Sequence, residues 1–119
     1  MANRYRGEVD VVFAGKTRTL RPTFQALAEI EDKTDTGIVG VARRFADNSF
    51  GVRDVAAILW AGMRAGADGH ADAAPPDYET VCALVVDQGL AHFAPTAAEF
   101  LTRGLAGPAA VDTETATGP

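Results

Sequence analysis

Hydrophobic and polar residues alternate at the start of the chain and then change to helical spacing within a few positions. In "EVDVVFAGKTRTLR", Val9, Val11 and Phe13 share one face while Glu8, Asp10 and Val12 take the other. Ala14-Gly15 supplies a turn and Thr17 to Arg21 returns, a pattern that predicts a β-hairpin. A lone two-stranded hairpin is only marginally stable in water. Its apolar face must therefore dock on something else, and everything downstream has helical spacing.

The switch has a local cause. Pro22 cannot continue an inner strand but suits the first turn of a helix, and the Thr23 hydroxyl can accept from the amides that follow. Phe24, Leu27, Ala28 and Ile30 form the apolar stripe of this first helix. Gln25, Glu29, Asp32 and Lys33 face away, with Glu29 and Lys33 spaced for an i,i+4 ion pair. "KTDTG" ends it, since these residues favour turns and caps. Ile38, Val41, Ala42 and Phe45 predict a short second helix, closed by Asp47-Asn48 and Gly51, with Arg43 and Arg44 on a solvated side. The most apolar helix runs from about Val52 to Ala65, as residues Val52, Val55, Ile58, Leu59 and Met63 make one face that Ala56, Ala57, Trp60 and Ala61 extend. It is the expected centre of the fold.

Asp77 caps a fourth helix with Tyr78, Val81, Cys82, Val85 and Val86 on one stripe, ending at Gly89. A fifth is expected to begin near Pro95 or Thr96, with Ala97, Phe100, Leu101 and Leu105 at helical spacing until Gly107-Pro108 stops it. The expected fold class is thus α+β, mainly α-helical: an N-terminal β-hairpin packed on a bundle of about five helices, forming one domain over residues 1–107. "GADGHADAAPPD", residues 66–77, reads as an exposed mobile loop. Residues 108–119 are small and acidic, with too little apolar surface to offset the entropy of ordering, so a disordered tail is expected there.

Composition narrows the function. The chain has 119 residues and a formal net charge of −5, with no concentrated basic surface, which argues against binding a nucleic-acid backbone. No apolar run approaches the roughly 18 residues that span a bilayer, and MANRYRGEVD lacks the apolar core of a signal peptide. A cytoplasmic protein without a membrane partner is expected. Cys82 is the sole cysteine, so no intrachain disulfide can form, and its apolar neighbours read as packing.

Chemistry is sparse. His70 and His92 stand far apart, and His70 with Asp68 and Asp72 makes only a weak metal spacing in a loop. Ser49 is the single serine and lacks a nucleophile setting. Glu29, Glu31 and Asp32 read as helix surface rather than as a catalytic pair. Gly37 and Gly40 have no lysine in the place a phosphate loop needs. No catalytic, cofactor-binding or metal-binding residue is expected, and no cofactor. The candidate site is instead a partner-binding patch of Phe45, Phe50, Trp60, Met63 and Phe93, more aromatic and flexible apolar side chains than one small core readily absorbs.

Three segments carry a resemblance: Arg6-Gly7-Glu8 before the first strand, the LRPTFQALAEIE junction at Leu20 to Glu31, and DVAAIL at Asp54 to Leu59. In this order they resemble the gene transfer agent tail protein family. Its members are small proteins encoded between the tail tube and tape-measure proteins of gene transfer agents and related siphophages, and are grouped with phage tail assembly chaperones. The similarity covers residues 6 to 66, and the later helices match in pattern. It implies a non-enzymatic protein that binds the tape-measure protein during tail morphogenesis, with the tail tube protein as a further partner. The alternatives are a minor tube or adaptor subunit of the finished particle, or an adaptor for a host protein. Self-association stays open.

Overall fold

The computed structural model describes residues 3, 6–67 and 74–107. The Asp68, His70 and Asp72 cluster and the 108–119 tail lie outside them. Strands β1 (Val9–Phe13) and β2 (Lys16–Leu20) pair antiparallel, with Val9 opposite Leu20 and Phe13 opposite Lys16. Ala14 and Gly15 both take positive φ, the left-handed pair whose twist suits a two-residue hairpin. Val9, Val11 and Phe13 point inward and Val12 is exposed, so the alternation along β1 predicts its faces. The polar face holds a cross-strand hydrogen bond from the Thr19 hydroxyl to Asp10 Oδ1 (3.1 Å).

Five helices follow: α1 (Phe24–Thr34), α2 (Ile38–Ala46), α3 (Val52–Gly66), α4 (Tyr78–Gln88) and α5 (Leu90–Ala106). Thr23 caps α1 by accepting from the Ala26 N–H (3.0 Å), and Asp35 ends it in the left-handed region, which short polar residues tolerate. The Glu31 carboxylate accepts from the Ile38 N–H (2.8 Å) and so caps α2, whose own N-cap is a glycine. Asp77 caps α4 through the Thr80 N–H. Helix α3 is the centre, packing against α1, β2, α4 and α5. Every residue from Val55 to Leu59 is buried on it. The core gathers around Phe13, Leu20, Ile30, Ile58, Leu59, Phe93 and Phe100.

Two buried carboxylates orient these pieces. Asp54, at the start of α3, accepts from Arg44 (2.6 Å) and from the Gly51 N–H (2.8 Å), and Arg44 also donates to the Thr36 hydroxyl. Glu8 accepts from the Asn3 N–H and faces Arg6 and Arg21, while its main-chain carbonyl accepts from Arg103 on α5 (2.7 Å).

Several sequence expectations need correction. Helix α5 begins at Leu90, with Pro95 inside it. The earlier start buries Phe93 against Phe13, their rings 5.7 Å apart, and the carbonyl that Pro95 leaves unpaired belongs to exposed Ala91. Phe24 is not in the buried stripe of α1. That face is centred on Ala26 and Ile30, and Phe24 lies about 120° around the helix from Ile30 at 100° per residue. Glu29 pairs with Arg64 across to α3 instead of with Lys33, which is drawn over aromatic rings. Arg44 is engaged with Asp54 rather than solvated. Val86 and Leu105 are exposed, and Cys82 is half-buried.

The closest approach in the fold is between β2 and α3. A methyl group on Gly66 would overlap the Thr19 carbonyl, and one on Gly62 would meet Leu20 at 3.0 Å and Phe100 at 3.1 Å. Glycine to alanine in a helix ordinarily stabilises by up to about 1 kcal/mol. Here the sign reverses, because overpacking against backbone costs about 1–3 kcal/mol or more. Gly66→Ala is expected to lower stability by about 2–3 kcal/mol and Gly62→Ala by less, since side chains can shift where a main-chain carbonyl cannot. Denaturant midpoints check this, and a neutral Gly66→Ala would mean that β2 does not lie on α3 in solution.

Candidate functional site

The hairpin-to-helix junction, the first turns of α1 and the last turn of α3 enclose a groove of about 580 Å³. Arg21 and Thr23 come from the junction, and Phe24, Gln25, Ala26 and Glu29 from α1. Arg64 and Ala65 come from α3, and Pro75 from the segment leading into α4. That segment is held to the hairpin by Arg18, which donates to the Ala74 carbonyl (3.1 Å). Phe24 is 88% exposed, the most solvent-open large apolar side chain among the described residues. Ala65 and Pro75 line the same groove, whereas Ala26 beneath it is buried.

Two arginines and one carboxylate line the groove, and both arginines are ion-paired. Glu29 is its one carboxylate and is neutralised by Arg64. Arg21 pairs with the buried Glu8 carboxylate at 3.9 Å, which Arg6 also faces at 3.5 Å. The first turn of α1 carries no acidic residue, and its Ala26 N–H is satisfied by the Thr23 hydroxyl.

The five sequence-predicted residues are not brought together. Met63 and Phe93 are 2% and 1% exposed and belong to the core. Phe45 and Phe50 are half-buried and stack on each other at 4.7 Å, closing the α2–α3 connection. Trp60 alone comes near the groove. It meets Tyr78 edge-on at 5.6 Å, and Arg64, which lines the groove, lies 4.8 Å from its ring. Lys33 sits 4.6 Å over Tyr78 and 5.2 Å from Trp60. The indole is therefore packed among its own chain's cations.

Phe24, Arg21 and Arg64 line this groove and lie outside the patch expected from the sequence. Phe24 fits a helical stripe by spacing, and only the direction in which the helix packs reveals that it points away. The Arg6-Gly7-Glu8 segment has a structural role: Gly7 takes a positive φ of 75° beside Pro22, and Glu8 sits in the arginine cluster. Among the described residues no three His, Cys, Asp or Glu side chains are grouped to hold a metal ion, and no helix is long and apolar enough to cross a membrane.

Burial pushes the Tyr78 phenol up to about 12, with a hydrogen bond to Cys82 adding to the effect. The folded chain thus keeps this phenol neutral where an unfolded one ionises it. The resulting stability is fully present below the ordinary tyrosine value of about 10 and is lost as pH rises from there. The loss is complete once pH has passed about 12. Tyrosinate absorbance of the folded protein should include a late step that Tyr78→Phe removes. A Tyr78 step at the ordinary value would mean that the Trp60–Tyr78 packing does not persist in solution.

Comparisons with known proteins add one finding. Neither the curated proteins nor the solved structures gave a match. Over residues 6–107, from the Arg6-Gly7-Glu8 cluster through the end of α5, the chain matches the family described as "Phage tail tube protein, GTA-gp10", and it belongs to that phage-tail-related family.

Proposed function

We propose that this protein is a non-enzymatic assembly factor of a phage-like tail, a chaperone that holds the tape-measure protein until tube subunits polymerise around it. The observation that carries the reading is the sheet. Among the described residues it has two strands, β1 and β2, with one face packed on the helices. A subunit that closes a tube through continuous β-structure needs far more strand than this. Helices make up most of the rest of the described residues, and a groove between them is rimmed by the exposed Phe24 ring.

A tape-measure protein is long and helical with repeated apolar stripes, and such stripes aggregate when bare. Covering them by helix-in-groove packing suits a small protein present in many copies. Displacement by tube subunits requires moderate affinity at each site. The net charge of −5 helps keep a crowded complex dissolved in the cytoplasm. A second reading, a structural subunit of the finished tail, is favoured by the family's description as a tail tube protein.

Co-expression with the neighbouring tape-measure protein separates the two. The chaperone reading expects a soluble complex with several copies per tape measure on a sizing column, and absence of this protein from purified particles. An insoluble tape measure, together with stoichiometric retention in particles, would sink the chaperone and leave the structural subunit.

A further inference from the structure

Helix α4 is tied into the fold differently from the other four. Each of those has a polar side-chain lock to another element: Glu29 on α1 pairs with Arg64 on α3, Arg44 on α2 pairs with Asp54 on α3, and Arg103 on α5 donates to the Glu8 carbonyl. Among the described residues no side chain of α4 makes such a bond to another element. Its polar contacts are the Asp77 cap and the Tyr78–Cys82 hydrogen bond within its own turns. It packs on α3 and α5, and Val81 and Val85 are its buried residues. Tyr78, at its start, is held by ring contacts instead, edge-on to Trp60 at 5.6 Å and beneath the Lys33 ammonium at 4.6 Å. At its other end the single residue Gly89 joins it to α5 with a φ of 106°. A side chain placed there would meet only His92 Cβ, at 3.9 Å, so the backbone of this permissive residue can turn without obstruction.

We propose that α4 is a detachable strap: it opens as a unit about Gly89 while the hairpin and the other four helices stay folded, and the contact of Lys33 with Tyr78 and Trp60 is the latch that keeps it closed. Opening of this kind falls on the element with the fewest buried contacts and cross-links. Release gives up the burial of Val81 and Val85 and the ring contacts, but it strands no buried charge, whereas moving α2 would strand Asp54 and moving α3 would break both of its ion pairs. The open chain bares the apolar side of α3 and α5 that α4 covers, and closing hides it again. Nothing in this opening depends on the tail-assembly role.

Native-state hydrogen exchange on the full chain tests it. Amides of residues 81–88 should exchange through an opening that responds only weakly to low denaturant, because it exposes little surface, while those of residues 55–63 on α3 exchange with global unfolding and its full denaturant dependence. Lys33→Gln should speed exchange in residues 81–88 by about two- to fivefold, the equivalent of one exposed cation–π contact, and leave residues 55–63 unchanged. Lys33→Arg, which keeps a cation over the rings, should leave both sets at the wild-type rate. Residues 81–88 that exchange as slowly as residues 55–63, with the same denaturant dependence, would show that α4 leaves only when the whole fold does, and would overturn the strap. A Lys33→Gln variant that speeds both sets equally would overturn it as well. An unchanged rate in residues 81–88 of that variant would overturn the latch.

Discussion

A strand can lie directly on a helix only where the helix offers no side chain, and α3 offers two such places one turn apart, Gly62 and Gly66. At the first, the Gly62 carbonyl accepts from the Arg21 N–H (3.1 Å), so a backbone hydrogen bond joins the end of β2 to the middle of the central helix. At the second, the Thr19 carbonyl fills the space a methyl group would need. This contact carries Leu20 down onto Phe100 and fixes where the chain stands when it reaches Pro22. Thr23 then starts α1 at once. The start of α1 is thereby held beside the end of α3, and the groove is the gap that remains between them.

Charges fix what apolar packing leaves degenerate. Apolar side chains of similar volume can replace one another at modest cost, but the buried Asp54 and Glu8 need specific donors. Each is nearly excluded from water, so each must keep its donors, and removing one partner leaves a buried charge that costs more than the pair contributes. Through Arg44, Asp54 locks α2 and the Thr36 turn to the start of α3. Glu8 joins the entry to β1 with its side chain and α5 with its carbonyl. The segments that resemble the tail family, RGE, LRPTF and DVAAIL, coincide with these locks: Glu8 in the first, the Leu20–Arg21 contact in the second, Asp54 and the buried run to Leu59 in the third. They specify a framework and carry no reactive group.

The order of elements was legible because local patterns are physical constraints. Alternation placed Val9, Val11 and Phe13 inward, and Pro22-Thr23 marked the start of α1 through fixed φ and a cap. The misreadings share a different cause. Whether Phe24 or Ala26 faces the core depends on where α3 lies, and no spacing within α1 contains that direction. Pro95 reads as a helix start locally, yet the long-range partner of Phe93 is Phe13, and burying that pair extends the helix backwards. The five patch residues are dispersed for the same reason. Met63 and Phe93 are inside because α3 and α5 present those faces to the hairpin and bundle, and Trp60 is clothed by Lys33 and Arg64 from two helices.

The distribution of exposed apolar residues bears on how such a protein engages others. Permanent subunit interfaces resemble a domain core cut in half, typically with more than about 2,000 Å² buried and few charges at the centre. Among the described residues the large exposed apolar side chains are Val12, Phe24, Val39, Val86 and Leu105, distributed over β1, α1, α2, α4 and α5. Of these, Phe24 lines the groove between the α1 start and the α3 end, together with the ion-paired Arg21 and Arg64. Apolar side chains scattered singly over five elements do not form, among the described residues, the continuous apolar face that a permanent interface needs.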